Sequence, residues 1–188
     1  MGTPADEPAW VGEVLEFWFG ELAPADWFAR SDALDARIRE RFGALHAHLL
    51  ATQAREVELL GGRAAQAAVI VLDQFSRNLH RGSAQAFAGD ELARQLAREA
   101  IACGEDSRLP PEQRLFLYLP FEHSEELADQ DLSVCLHEQL GNEYWTRYAR
   151  AHRDLVARFG RFPHRNAALG RESTPEELAA MSAPMGSF

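Results

Sequence analysis

The feature that most constrains the fold is a central segment, residues 63–75, with the sequence RAAQAAVIVLDQF. It follows the Gly61-Gly62 break, and as a helix it would be apolar on nearly every side. A helix of this kind has to be covered by other elements. Because strand signals are nearly absent elsewhere in the chain, those elements are expected to be helices. The sequence therefore predicts an all-α protein in which this segment is the central helix.

Most of the remaining chain also shows helical spacing of apolar residues, and several helix ends are marked. Ser31 and Asp90 are predicted N-caps. Thr174 and Glu177 form a predicted capping box around Pro175, and Pro120 is expected to end or kink its helix. Seven or eight helices joined by short loops predict stacked antiparallel pairs. The predicted helical segments are 8–20, 31–51, 63–75, 89–104, 112–119, 124–141, 142–160 and 173–181.

The organisation of the 188 residues favours one domain. No linker rich in Pro, Gly or Ser divides the chain, and no clean 34-residue repeat is visible. We therefore expect a single helical domain over residues 9–181, with residues 1–8 and 182–188 as loose tails.

The charge composition excludes several classes of function. The formal net charge is −10, which disfavours binding to nucleic acid or to anionic membranes. The 19 basic residues are all arginine, so a lysine Schiff base and a P-loop lysine are both excluded. The N-terminal stretch lacks the pattern of a secretory signal. We expect a cytoplasmic protein without a cofactor.

Cysteine and histidine spacing does not indicate a metal site. Cys103 and Cys135 have no C-x-x-C partner and fall in apolar helical patterns, so we expect buried structural thiols. The pair His137-Glu138 lacks the second histidine of a zinc-protease helix. His46 and His48 lie two positions apart and should face different directions. We therefore expect no metal.

Three segments place polar side chains where the helical pattern predicts burial. The first, 72–82 (LDQFSRNLHRG), directly follows the central helix; the second, 118–130 (YLPFEHSEELADQ), surrounds the proline break. The third, 158–166 (RFGRFPHRN), is a turn rich in arginine. Each has a structural interpretation, as salt-bridged helix ends and caps, and a functional one, as arms of one polar site. The sequence leaves both open.

These segments, together with VLEFWFGEL and DWFARSDALDARIRERFGAL, resemble the bacterial domain-of-unknown-function family 924 from about Val11 to Leu178. The resemblance implies an all-helical, tetratricopeptide-like superhelix, a cytoplasmic location and no established activity. The family signature falls here on Asp73, Gln74, Arg77, Asn78, Arg81, His123, Ser124, Glu125, Asp129, Arg161, His164, Arg165 and Asn166.

Two functional hypotheses follow. One is an interaction or ligand-binding module that takes a protein partner or a small anionic ligand. The alternative is an enzyme of acid/base hydrolase or lyase type acting on a small anionic substrate. Neither the oligomeric state nor enzymatic character is fixed by the sequence. The candidate catalytic residues are His123, His164, Glu125 and Asp73, and the candidate ligand-binding residues are Arg77, Asn78, Arg81, Arg161, Arg165 and Asn166.

Overall fold

The computed structural model describes residues 7–57 and 60–182, and all regular secondary structure in these residues is helical. The all-α prediction is confirmed. Helices α3 (Gly62–Val69) and α4 (Ser76–Leu79) are joined by a π-helical turn, Ile70–Phe75, into one continuous helix. The described segments therefore form eight helices, where the sequence predicts seven or eight. The segments are α1 (Ala9–Glu16), α2 (Asp32–Thr52), α3 (Gly62–Val69), α4 (Ser76–Leu79), α5 (Asp90–Ala102), α6 (Pro111–Glu122), α7 (Leu127–Gln139), α8 (Glu143–Phe159) and α9 (Pro175–Met181).

The contacts divide the chain into two compact units. The first comprises Met1–Arg81 and Gln85–Leu117, and the second comprises Gly82–Ala84 and Tyr118–Phe188. A single domain over residues 9–181 stays a prediction. The predicted tails, 1–8 and 182–188, lie mostly outside the described residues.

The first unit is built around the continuous helix of α3 and α4. Every residue from Ala64 to Ser76 is buried, as the sequence predicts for a helix that is apolar on all sides. Helices α1, α2 and α5 pack against it. The start of α5 comes close enough that a Cβ on Gly89 would lie 2.4 Å from the Leu72 carbonyl oxygen. Only glycine fits this approach without a backbone shift.

The aromatic residues of the N-terminal segment form part of this core. Phe17 and Trp18 are fully buried, and their rings make edge contacts with Phe75 at centroid distances of 6.0 and 5.5 Å. Trp18 also meets Phe116 at 5.5 Å. Phe28 is different, since it is 59% exposed. The cluster is therefore mainly core, as its density predicts.

The second unit is organised by α7 packed on α8. The buried face of α8 carries Ala149, His152 and Val156, and the facing side of α7 carries Leu136 and His137. Helix α8 ends at Gly160, which adopts a left-handed conformation with φ of 66°. Helix α9 packs on the short 3₁₀ turn Pro163–Arg165 that follows.

Several predicted helix ends are confirmed. The Ser31 hydroxyl accepts a hydrogen bond from the Leu34 N–H, and the capping box of Thr174 and Glu177 is complete in both directions. These ends could be predicted because the side chain and the backbone group it caps are only three residues apart.

Helix α6 continues through Pro120 to Glu122, so the proline does not end the helix, and a kink at this position stays a prediction. Two local predictions are wrong. Asp90 is not the cap of α5, because it is the first helical residue and its carboxylate binds Arg77. Cys103 and Cys135 are exposed, not buried: Cys103 follows the last residue of α5, and Cys135 lies outside the buried face of α7. Among the described residues, none of the helices is long and apolar enough to cross a membrane.

Candidate functional site

In the first unit, Asn78 and Arg81 of the segment 72–82 bind the same carboxylate. Asp35 of α2 accepts hydrogen bonds from Arg81 Nε, from Arg81 Nη2 at 2.8 Å, and from Asn78 Nδ2 at 2.7 Å. Burial raises the pKa of Asp35, but these hydrogen bonds outweigh it and the pKa lies below its ordinary value. The cluster ties the end of α4 to α2.

Arg77 is clamped between two acidic residues of the first unit. Its Nη1 lies 3.1 Å from Asp73 Oδ1, and its two terminal nitrogens reach the Asp90 oxygens at 3.0 and 3.2 Å. Asp73 is 1% exposed. Arginine is common at such sites because its planar guanidinium can donate two hydrogen bonds to one carboxylate. The contacts of Arg77 join the central helix to the start of α5.

His46 and His48 face different directions, as their spacing predicts. His46 is buried and its Nε2 lies 2.6 Å from Ser76 Oγ, whereas exposed His48 contacts Glu56. Because the Ser76 hydroxyl donates to the Leu72 carbonyl, the Nε2 of His46 is the donor. Burial lowers the pKa of His46 to about 4. This histidine is held neutral inside the first unit.

In the second unit, Glu125 holds the arginine-rich turn in place. It forms a two-point ion pair with Arg171, at 2.7 and 2.8 Å, and accepts the Phe162 backbone N–H at 2.8 Å. Burial raises the pKa of Glu125, but these hydrogen bonds outweigh it and the pKa is lowered. Glu125, a candidate catalytic residue, therefore lies in an arginine pair and not against an imidazole of the described residues.

Arg161 and Asn166 converge on a second carboxylate, Glu177 of α9. Arg161 donates to both oxygens at 2.7 and 3.0 Å, and Asn166 Nδ2 donates at 3.2 Å. The hydrogen bonds from Arg161 and from the Thr174 backbone lower the pKa of Glu177 to about 2. The two candidate ligand-binding residues therefore anchor α9 to the turn after α8.

The remaining candidates of the second unit gather around two adjacent rings, those of Phe162 and His152. The Arg165 guanidinium lies 4.7 Å from the Phe162 ring centroid and donates to the His123 carbonyl at 2.8 Å. The His164 ring is 5.3 Å from Phe162, and the His123 ring is 6.3 Å from that of His152. The second and third polar segments are thus brought together.

The pKa of His152 reflects the charged groups around it. Burial is the main reason why its pKa lies well below the ordinary value, despite its hydrogen bond to the Tyr148 carbonyl. The neighbouring groups His123, His164 and Arg165 lower the pKa further, since each repels an added positive charge. The surroundings of His152 therefore disfavour a positive charge on its ring.

The sequence prediction missed a buried group next to this cluster. Glu122 lies between His137 of α7 and His152 of α8, and all three side chains are at most 6% exposed. The sequence does contain a signal for this buried group, because His152 lies on the apolar face of α8 between Ala149 and Val156. A polar residue at such a position requires a partner.

The structure places the candidate residues in two sets. Asp73, Arg77, Asn78 and Arg81 belong to the first unit, and each is held there by the contacts described above. The convergence of all three segments stays a prediction. In residues 7–57 and 60–182, no group of three His, Cys, Asp or Glu side chains is arranged to hold a metal ion. The second set is His123, Glu125, Arg161, His164, Arg165 and Asn166.

Among the described residues, the fold and these clusters define an all-helical protein whose two units each hold arginine–carboxylate pairs, with a histidine-rich cluster in the second unit. Residues 14–185 match the family model described as bacterial protein of unknown function, DUF924. The chain belongs to this family, which confirms the resemblance seen in the sequence. No curated protein matches the chain. A solved structure of a protein of unknown function from Agrobacterium tumefaciens is similar, with 40% identity and a TM-score of 0.84, covering 92% of this chain and 96% of that chain.

Proposed function

We propose that the second unit binds a small anion of the carboxylate or phosphate class at the cluster of His123, His164 and Arg165. The observation that carries the proposal is the convergence of these three side chains around Phe162 and His152. Guanidinium and imidazole N–H groups are the usual partners of such anions in proteins.

The geometry of Arg165 supports a binding role. Its guanidinium is stacked over Phe162 and fixed by the His123 carbonyl, so less side-chain entropy would be lost when it binds. These contacts fix the Arg165 guanidinium beside the Phe162 ring, in the same cluster as the His164 ring.

The test is thermal unfolding in increasing inorganic phosphate or citrate, with sodium chloride at matched ionic strength as the reference. We expect a saturable rise in the midpoint, because a ligand that binds only the folded state stabilises it. His164→Gln should weaken apparent affinity by at least about tenfold, the loss of one charge-assisted contact. Arg153→Gln is the matched control, since Arg153 pairs with Asp131 on the exposed side of α8. A midpoint that responds to ionic strength alone would contradict the proposal.

A protein partner is the second candidate, favoured by a surface on α8. Tyr144 is 56% exposed, its ring lies 4.8 Å from that of Tyr148, and the Arg147 guanidinium lies 5.6 Å from the Tyr144 ring. Tyrosine and arginine are enriched at the centres of interfaces. Sedimentation of the wild type and of Tyr144→Ser over a range of concentrations tests the simplest partner, a second copy of the chain.

The enzyme hypothesis adds a proton transfer to the proposed anion binding. In that case His123 or His164 would move a proton to or from the bound anion. Glu125 would not orient either ring, since it is paired with Arg171. A cytoplasmic location, the tetratricopeptide-like description and the expectation that nucleic acid does not bind likewise remain proposals.

A further inference from the structure

Glu122, the last residue of α6, lies between two imidazoles. Its Oε2 is 3.1 Å from His137 Nε2 and its Oε1 is 3.2 Å from His152 Nδ1. Glu122 is 4% exposed, His137 0% and His152 5%. At this burial an ionised carboxylate is costly unless a proton or a positive charge accompanies it.

Backbone carbonyls fix the proton on one nitrogen of each ring. His137 Nδ1 lies 2.8 Å from the Ser133 carbonyl oxygen, and His152 Nδ1 lies 2.9 Å from that of Tyr148. A carbonyl oxygen only accepts, so each of these nitrogens carries a hydrogen. The His152 N–H also lies against Glu122 Oε1 and is compatible with an ionised or a neutral carboxyl.

The contact between Glu122 and His137 is different. With its hydrogen on Nδ1, a neutral His137 carries a lone pair on Nε2, which is buried without a hydrogen-bond partner among the described residues and lies 3.1 Å from Glu122 Oε2. An ionised carboxylate at this distance would repel that lone pair. A single proton between the two atoms turns this repulsion into a hydrogen bond. We propose that Glu122 and His137 hold one shared proton in the folded protein at neutral pH.

The surroundings decide on which atom the proton lies. Burial lowers the pKa of His137 to about 4, despite its hydrogen bond to Ser133 and with a further contribution from His123. The carboxyl is therefore the better site, and Glu122 is a neutral acid that donates to His137 Nε2. Other titratable or charged groups near the pair include His152 on α8, His123 next in the chain, Tyr118 against the His137 ring, and His164 and Arg165 through His152.

This proton has a measurable consequence for folding. Above about pH 7 the unfolded chain holds no proton on either Glu122 or His137, whereas the folded pair holds one. Folding then takes up one proton, and the folding equilibrium constant falls about tenfold for each unit of pH increase. The inference does not depend on anion binding, because it concerns the protein without ligand.

The first test is equilibrium unfolding in denaturant at several pH values between 7 and 8. The wild type should lose about tenfold in the folding constant across this range, and Glu122→Gln should lose this dependence, because its amide N–H donates to His137 Nε2 without a titrating proton. Glu125→Gln is the matched control: it removes a nearby carboxylate that binds arginine and should keep the wild-type dependence. Equal pH dependence in the wild type and Glu122→Gln would overturn the proposal.

A second measurement uses only the wild type, so it tests the proposal even if Glu122→Gln does not fold. Infrared spectra at neutral pH should show the C=O stretch of a buried protonated carboxyl, and ¹⁵N NMR should show His137 as a neutral ring with hydrogen on Nδ1. An imidazolium at His137 would also support a shared proton, placed on the ring. An ionised carboxylate together with a neutral His137 would overturn it.

Discussion

Substitution of Arg81 by methionine separates a structural role of the segment 72–82 from a ligand-binding one. Arg81 donates two hydrogen bonds to Asp35, whose side chain is 9% exposed and keeps only the Asn78 hydrogen bond after the change. A hydrogen bond to a charged group is worth about 1.5–3 kcal/mol. Because the Arg81 side chain is 33% exposed, water replaces part of this. We expect a loss of about 2 kcal/mol in the free energy of unfolding.

The assay is equilibrium unfolding in urea, with Arg37→Met as the matched control. Arg37 pairs with Glu21 at 2.8 Å on the exposed surface, so its loss should cost less than about 1 kcal/mol. Adding Asp35→Asn to Arg81→Met should recover part of the lost stability, since the buried charge is then removed. If Arg81→Met costs no more than Arg37→Met, the structural interpretation of this segment is refuted.

The stability difference between the wild type and Arg81→Met should also depend on pH in a defined direction. The pKa of Asp35 is lowered in the folded state, so its stabilisation is present above the unfolded pKa of about 4 and disappears as the pH falls through the folded value. The difference in stability between the wild type and Arg81→Met should therefore shrink as the pH is lowered below about 4.

Three further outcomes follow from the packing and the buried polar groups. Gly89→Ala should destabilise the protein by about 1–3 kcal/mol in urea unfolding, because the new Cβ meets a backbone carbonyl that cannot move aside. The pKa of His46 is lowered to about 4, so the wild type should lose stability as the pH falls from about 6.5 toward 4; His46→Gln, which keeps a donor for Ser76, should lose less over that range in thermal melts. Glu125→Ala should cost about 2 kcal/mol and raise proteolytic cleavage of the turn that contains Phe162, since it removes the anchor of Arg171.

The helices could be predicted because the determining interactions are local. Apolar residues recur at helical spacing over residues 63–75, and the caps at Ser31 and Thr174 bind groups three residues away. The local pattern is misleading at Asp90. It was a predicted N-cap, but its carboxylate binds Arg77, thirteen residues earlier, instead of a backbone N–H of its own helix.

The polar partners could not be predicted because they are distant in the sequence. Asp35 meets Arg81 across 46 residues, and Glu125 meets Arg171 across 46. The sequence indicated which segments hold too many polar groups, but the choice of partner is set by how the helices pack. Glu122 was not among the predicted site residues, because its two imidazole partners come from other helices, α7 and α8.

Anion binding at the cluster of His123, His164 and Arg165 in the second unit can be followed by NMR of the imidazole side chains. In a titration with inorganic phosphate at constant pH and ionic strength, we expect the resonances of His123 and His164 to shift and saturate together. The resonances of His46 in the first unit and of exposed His48 should not follow that curve. Shifts of all four that grow without saturation, or no shift at His123 and His164, would contradict the account.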